Sequence, residues 1–131
     1  MAAAETNHNP EALPLTILVV EDEVLVRITT AEELRLAGFS VVEAASGAEA
    51  LKVLQASVHI DLLFTDVHMP GTIDGLALAA QARRLFPSLK VMVTSAHVPA
   101  WPSPGLADEF VGKPYAFHRL IARIKTLLAN D

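Results

Sequence analysis

Cysteine is absent from the 131-residue sequence, which excludes disulfide bonds, thiolate metal sites and cysteine nucleophiles together. Basic residues are also scarce: ten Lys and Arg stand against fifteen Asp and Glu, and the net charge is −5. A general nucleic-acid binder needs a basic face, so direct DNA binding is not expected. Residues 1–14 contain no Lys or Arg and no apolar stretch long enough for a signal peptide or a membrane span. We therefore expect a cytoplasmic protein without membrane insertion, in which residues 1–14 form a flexible leader.

The bulk composition is typical of one compact domain. Apolar residues make up 52% of the sequence and charged residues 19%, as in a globular protein and unlike a disordered chain. A chain of this length buries roughly two thirds of the surface that it would expose when unfolded, and no second domain fits. We predict a single folded domain over residues 15–131.

Short β-rich runs alternate with helical patterns, which is typical of βαβ units wound into a parallel sheet. The predicted strands are Thr16–Val20, Ser40–Glu43, Ile60–Thr65, Lys90–Thr94 and Glu109–Val111. The predicted helices run from about Val24 to Ala37, from a Ser-x-x-Glu capping box at Ser46 through Leu54, from about Asp74 to Phe86, and from Ala116 to Ala129. The first strand is apolar throughout, which favours a central position covered on both faces.

Between the fourth and fifth strands the helical pattern breaks. Pro99, Pro102, Pro104 and Gly105 crowd this stretch, and a proline inside a helix costs roughly 3 kcal/mol. We predict at most one helical turn there, so that a fourth helix would be short or irregular. Trp101 lies among these prolines, where it could anchor a partner or pack against the domain.

Acidic and basic side chains follow the ends of three predicted strands. Glu21 and Asp22 close the first strand, Asp66 follows the third, and Lys113 follows the fifth. In an open α/β sheet the carboxyl ends of the strands share one edge, where ligands bind. Carboxylates gathered there repel one another unless a cation joins them, and Mg2+ suits such an all-oxygen site. The pattern predicts a phosphoryl-acceptor site, although Asp66 alone could equally cap a helix or a turn.

Four motifs carry a family resemblance: VVEDE at the first strand, FTDVHMP at the third, VTSA at the fourth and GKPY after the fifth. From Ile17 to Leu128, their order and spacing resemble the receiver domain of two-component response regulators. The resemblance implies a flavodoxin-like, doubly wound, five-stranded parallel α/β sheet in the order 2-1-3-4-5. Compared with the commonest receiver pattern, the loop after the third strand is one residue longer. The stretch between the fourth and fifth strands is a few residues shorter.

The resemblance also implies a role for each residue at the predicted sheet edge. Asp66 would be the phosphoacceptor, attacking the phosphoryl group of a phosphohistidine to give an aspartyl phosphate. Asp22 and Asp66 would bind Mg2+ directly, with the backbone carbonyl of His68 as a third protein ligand. Glu21 would act mostly through metal-bound water. Lys113 would place its ammonium against Asp66 at rest and against a phosphoryl oxygen afterwards.

Two further positions match the residues that switch in this family. Thr94 would donate its hydroxyl to the phosphoryl group, and Phe110 would turn its ring inward in response. Phe110 could instead simply fill one face of its strand. By the same resemblance, the His68 side chain would influence loss of the phosphoryl group, and the Lys113-Pro114 bond would be cis.

The sequence therefore predicts a stand-alone receiver that is not an enzyme. Its expected partners are a sensor histidine kinase or histidine phosphotransfer protein, and a downstream protein that the sequence does not identify. One alternative is a receiver-like interaction module that no longer depends on phosphorylation. Another is a Mg2+-dependent phosphohydrolase with Asp66 as nucleophile, although such enzymes carry a general acid two residues later, where this chain has His68.

Overall fold

The structure is a computed structural model that describes residues 14–96 and 105–129. Five strands and four helices lie in these two ranges. In chain order they are β1 (Thr16–Val20), α1 (Val24–Leu36), β2 (Ser40–Ala44), α2 (Gly47–Gln55), β3 (Leu62–Asp66), α3 (Gly75–Leu85), β4 (Lys90–Ser95), β5 (Glu109–Gly112) and α4 (Phe117–Ala129). None of the helices in the described part is both long and apolar enough to cross a membrane.

The strands form one parallel sheet in the order β2-β1-β3-β4-β5. This confirms the predicted flavodoxin-like α/β fold. β1 and β3 lie side by side, with Val20 opposite Thr65, and β3 and β4 are neighbours, with Asp66 opposite Thr94. As the run of apolar residues predicted, Ile17–Val20 of β1 is buried.

The helices cover the sheet on both faces, and each face has its own apolar cluster. On one face, residues of β1, β3 and β4 pack against α2 and α3, whose contributions include Leu54, Leu78 and Ala82. On the other face, Leu34 of α1 and Ile124 of α4 close a second cluster. Full burial of one such side chain contributes about 1.5–3 kcal/mol, so the two clusters hold the strands in fixed register.

Side chains cap the amino ends of two helices, α2 and α3. Ser46 Oγ accepts a hydrogen bond from the Glu49 N–H at 3.1 Å, and Glu49 Oε1 accepts one from the Ala45 N–H at 2.8 Å. Ser46 therefore forms its half of the predicted capping box, whereas Glu49 reaches the N–H before the cap and not that of Ser46 itself. Asp74 Oδ1 accepts from the Ala77 N–H at 2.8 Å and so fixes the start of α3.

The predicted bounds of the third strand, Ile60–Thr65, are wrong. The strand begins at Leu62, and Asp61 just before it contacts the amino end of β1, where its Oδ2 accepts from the Thr16 N–H at 2.8 Å. It extends through Asp66, which pairs with Thr94, and the Val67 N–H donates to the Thr94 carbonyl at 2.9 Å. The predicted bounds of β1 are confirmed, and those of the other elements differ from the observed ones by at most one residue at either end.

Two predictions fall outside the described residues. The Pro-rich stretch, including Trp101, and the leader belong mostly to residues 97–104 and 1–13. In the described part of the connection, residues 105–108 form a turn and bends before β5, with Gly105 at φ +91°.

Candidate functional site

An ammonium group and two carboxylates meet at the carboxyl edge of the sheet. Lys113 Nζ donates hydrogen bonds to Glu21 Oε1 at 2.8 Å and to Asp66 Oδ2 at 2.9 Å. Glu21 follows β1, Asp66 ends β3 and Lys113 follows β5. Three residues that are far apart in sequence therefore form one ion-paired group.

The strand order explains why these side chains reach one another. β1 and β3 are adjacent and in register, so the residues at their ends lie side by side. β5 is separated from β3 by β4, and the Lys113 N–H donates to the carbonyl of Ser95, the last residue of β4, at 2.9 Å. A side chain as long as lysine is needed to reach across the intervening strand.

Burial and ion pairing shift the pKa values of Glu21 and Lys113 in opposite directions. Glu21 is only 4% exposed and Asp66 only 7%. Burial raises the pKa of Glu21, although hydrogen bonds from Lys113 and from the Glu23 N–H work against that rise. For Lys113, burial disfavours the charged form, but the hydrogen bonds and charges of Glu21 and Asp66 outweigh it and raise its pKa. The ammonium is therefore a permanent cation of the site at neutral pH.

Three acidic residues form a cluster that could hold a metal ion. Glu21, Asp22 and Asp66 each offer a carboxylate oxygen, and these oxygens lie within 4.8 Å of one another. Oxygens around Mg2+ are about 3 Å apart when adjacent and about 4 Å apart when opposite, given bonds near 2.1 Å. An all-oxygen cluster of this size could hold a small, hard divalent cation. Both Glu21 oxygens already accept hydrogen bonds, one from Lys113 and one from the Glu23 N–H at 3.1 Å.

Thr94 lies beside Asp66 as its partner in the β3–β4 register. Its side chain is buried, with 2% of the residue exposed, and within the described residues its Oγ1 has no hydrogen-bond partner. A buried hydroxyl without a partner costs about 1–3 kcal/mol. Residues paired across a sheet project from the same face, so this donor lies on the same side of the sheet as the Asp66 side chain.

Of the two remaining predicted residues, His68 lies beside Asp66 and Phe110 packs elsewhere. The His68 N–H donates to Asp66 Oδ1 at 3.2 Å, which brings the peptide of His68 beside the carboxylate, while the residue itself is exposed. Phe110 is partly buried on β5 and packs against the cluster under α2 and α3. The predicted carbonyl ligand and the predicted switch both stay predictions.

Gly75 received no role from the sequence. In the structure, this glycine allows the first residue of α3 to lie against the backbone of Asp66, the phosphoacceptor candidate. A Cβ at this position would lie 1.9 Å from the Asp66 carbonyl oxygen. Only glycine permits this approach. A poor helix former directly after the capping residue Asp74 is the signal that could have revealed it.

Tyr115, the last residue of the GKPY motif, was also left without a role. Its hydroxyl shares a hydrogen bond with Thr30 Oγ1 of α1 at 3.3 Å. Burial raises the pKa of Tyr115, so the hydroxyl keeps its proton at neutral pH. The preceding Lys113-Pro114 bond is cis, as the resemblance implied.

A protein-family model described as the response regulator receiver domain matches residues 17–125. The chain belongs to this family. Receiver domains are signalling domains of two-component systems and are generally not enzymes. They bind Mg2+ through an acidic pocket, and the cluster of Glu21, Asp22 and Asp66 is a possible pocket of this kind.

Two curated relatives show the receiver inside longer proteins. The probable transcriptional regulator ycf27 of Cyanophora paradoxa is 37% identical over 115 residues, which cover 86% of this chain and 47% of that protein. The sensor kinase CckA of Brucella abortus is 32% identical over 121 residues, which cover 88% of this chain and 13% of the kinase. The chain thus spans half or less of the length of these relatives.

A solved receiver structure has the same fold. The crystal structure of the response regulator protein TrrA from Thermotoga maritima, in complex with Mg2+ and BeF, has a TM-score of 0.79 and 36% sequence identity. The match covers 86% of this chain and 98% of that one.

Proposed function

We propose that this receiver takes a phosphoryl group onto Asp66 from the phosphohistidine of a histidine kinase or histidine phosphotransfer protein. The observation that carries the proposal is the Lys113 ammonium, which contacts Asp66 and Glu21 at once beside the acidic cluster. An aspartate with a fixed cation and a metal-binding set next to it can act as a nucleophile toward phosphorus. An isolated surface aspartate has neither.

In the proposed reaction, one Asp66 oxygen attacks the phosphorus atom of the phosphohistidine. The new oxygen–phosphorus bond forms as the phosphorus–nitrogen bond breaks, and the electron pair of the broken bond stays with the imidazole. Lys113 then exchanges its contact with Asp66 Oδ2 for a phosphoryl oxygen. Its permanent positive charge balances the negative charge that the phosphoryl group adds.

Mg2+ bound by Asp22, Asp66 and the His68 carbonyl would neutralise charge on the phosphoryl oxygens and orient them. Glu21 would act mostly through metal-bound water. The donor set consists only of oxygens, which is the chemistry that Mg2+ prefers.

Thr94 would complete the phosphorylated site by donating its hydroxyl to the phosphoryl group. That donor is buried and unpaired within the described structure, so a phosphoryl acceptor would satisfy it. As in the switch that the resemblance implied, movement of Thr94 would be followed by inward turning of the Phe110 ring, which would change the partner-binding surface.

The surface beside the site supports docking of the phosphodonor protein. Val24, Leu25 and Ile28 of α1 are exposed, Leu25 to 79%. Of these, Leu25 lines a groove of about 550 Å3, whose lining also includes Lys113 and Tyr115. We expect Leu25→Ala to slow transfer from a phosphorylated histidine kinase but not from acetyl phosphate. Equal slowing with both donors would argue against this surface.

The test of the proposal is phosphorylation by acetyl phosphate with Mg2+, measured as acid-labile phosphoryl incorporation. We expect at most one group per wild-type chain and none in Asp66→Asn. Asp61→Asn is the matched control, because Asp61 caps β1 at the opposite edge and asparagine retains an acceptor oxygen. The control should label like the wild type.

Three other outcomes would contradict the proposal. Labelling of Asp66→Asn would refute Asp66 as the acceptor. A folded wild type that takes no label would favour a phosphorylation-independent interaction module, and multiple turnover of a phosphate ester would favour a phosphohydrolase. Since the curated relatives are longer, action without an attached output domain stays a prediction.

A further inference from the structure

We infer that Tyr115 is a positioning residue for Lys113, acting through its hydroxyl contact with Thr30. The inference rests on the proposed function, because its main readout is phosphorylation at Asp66. It gives a role to Tyr115 of the GKPY motif and adds Thr30, which lies outside the four motifs. Neither residue touches the carboxylates in the contacts described above.

The Lys113 side chain must span a long distance to contact both carboxylates. Its ammonium bridges two carboxylates from strands that are not next to its own, with hydrogen bonds of 2.8 and 2.9 Å. A hydrogen bond weakens steeply beyond its normal length, so both contacts depend on where the backbone of residue 113 sits. The chain has just left β5 at this point and has not yet entered α4.

Tyr115 fixes this short connection by ring packing. Its ring meets the edge of Phe64 at a centroid distance of 5.9 Å and an interplanar angle of 69°. It also meets Phe117 at 5.7 Å and 77°. Phe64 lies on β3 two residues before Asp66, so Tyr115 ties the strand of the acceptor to the connection that carries Lys113.

The Tyr115 hydroxyl contacts a third part of the fold, the helix α1. Thr30 belongs to α1, the helix that follows Glu21 and Asp22, and is only 1% exposed. Valine has nearly the same shape and would fill this position without burying a hydroxyl. A buried hydroxyl needs a hydrogen-bond partner, and Tyr115 provides one for Thr30 at 3.3 Å. This contact accounts for threonine at position 30. Tyr115 thereby links α1 and β3 to the connection between β5 and α4. α1 follows Glu21, β3 carries Asp66, and the connection carries Lys113.

The alternative is that Tyr115 and Thr30 only stabilise the fold. Deleting the hydroxyls would then change the stability of the domain and leave the chemistry of a folded molecule unchanged. A positioning role changes the rate of phosphoryl transfer in molecules that remain folded, since small displacements of a charged group slow a reaction sharply.

The experiment measures the phosphorylation rate by acetyl phosphate at saturating Mg2+, at a temperature where circular dichroism shows every variant to be folded. We expect Tyr115→Phe, which keeps the ring, to slow the reaction about threefold to tenfold. Thr30→Val should slow it similarly, and Thr30→Ser should restore most of the rate. The double variant Tyr115→Phe/Thr30→Val should be no slower than the slower single variant, because both changes remove one contact.

Thr126→Ala serves as the control for loss of a hydroxyl elsewhere. Thr126 donates to the Ala122 carbonyl on the exposed side of α4, and its removal should leave the rate unchanged. Wild-type rates in folded Tyr115→Phe, or multiplicative effects in the double variant, would overturn the inference. If the wild type itself takes no phosphoryl group, the proposed function fails instead, so the two failures are distinguishable.

Discussion

Among the described residues, Lys113 donates hydrogen bonds to two carboxylates from neighbouring strands, Glu21 and Asp66. Without the ammonium these two buried groups would face each other with like charge. Removing one partner of a buried ion pair is destabilising for this reason. At the residue scale, the resting site is therefore held together by one cation.

The first prediction concerns alkaline pH. Pairing raises the pKa of Lys113, so its contribution to stability is complete below its ordinary pKa of about 10.4 and is lost as pH rises through the higher folded value. In EDTA at pH 8, we expect Lys113→Met to lower the free energy of unfolding by about 1–3 kcal/mol. The difference from the wild type should shrink above about pH 10.5.

Urea denaturation at pH values from 8 to 11.5 measures this difference. Lys125→Met, on the exposed side of α4, is the control and should differ little from the wild type at any pH. A wild-type advantage over Lys113→Met that stays constant through the alkaline range would contradict the prediction.

The second prediction concerns the unpaired hydroxyl of Thr94. Thr94→Val keeps the shape and removes a buried donor that has no partner in the described structure. We expect the resting domain to become up to about 1 kcal/mol more stable. Stabilisation by Mg2+ with beryllofluoride, a phosphoryl mimic, should decrease because the mimic loses a hydrogen bond.

Urea denaturation with and without the mimic separates the two effects. Thr94→Ser retains a hydroxyl and should keep most of the response to beryllofluoride. Full stabilisation of Thr94→Val by the mimic would rule out the proposed contact.

At the scale of elements, α3 starts in contact with the strand that carries Asp66. Gly75 is buried, and Asp74 caps the helix immediately before it. The direction of this helix and the backbone of residue 66 therefore depend on each other. A shift of α3 would move the carboxylate that the site uses.

The third prediction follows from this contact. In Gly75→Ala the new Cβ would meet the Asp66 carbonyl oxygen at 1.9 Å, so the backbone must move. We expect a loss of about 1–3 kcal/mol in stability and weaker Mg2+ binding. Isothermal titration and urea denaturation measure the two quantities.

A matched control is Ala80→Gly, at an exposed position of the same helix. It should cost about 1 kcal/mol through helix propensity alone and leave Mg2+ affinity unchanged. If Gly75→Ala binds Mg2+ as tightly as the control, the helix start does not hold the carboxylate in place.

The elements differ in how far sequence could predict them. β1 and α4 follow from their apolar patterns, which reflect burial directly. The start of β3 does not follow from its pattern. Ile60 is buried without pairing in the ladder, and hydropathy reports burial and not hydrogen bonding.

The acidic residues of the candidate site were predictable, since strand ends share one edge in a parallel sheet. The contact of Thr30 with Tyr115 joins residues 85 positions apart and leaves no local pattern.

At the scale of the whole molecule, pairing of the strands brings the acidic cluster together. Glu21 and Asp22 follow β1 and Asp66 ends β3, so their oxygens come within 4.8 Å only when the strands pair. An unfolded chain does not offer this arrangement. Binding of Mg2+ should therefore stabilise the entire fold.

The fourth prediction is the size of this stabilisation. Mg2+ at a hundredfold excess over its Kd should add about 2.7 kcal/mol to the free energy of unfolding, and EDTA should remove the gain. Asp22→Asn should lose most of it. Asp61→Asn, at the opposite edge, should retain it. Equal gains in both variants would indicate that Mg2+ acts elsewhere on the chain.

The ion pairs of Lys113 span 47 positions to Asp66 and 92 to Glu21. During synthesis, the ribosome exposes the acceptor aspartate well before the lysine that balances it. We expect a nascent or truncated chain ending before β5 to be a poor substrate for phosphorylation. Under the proposed function, phosphorylation of Asp66 would therefore require that β5 has already joined the sheet.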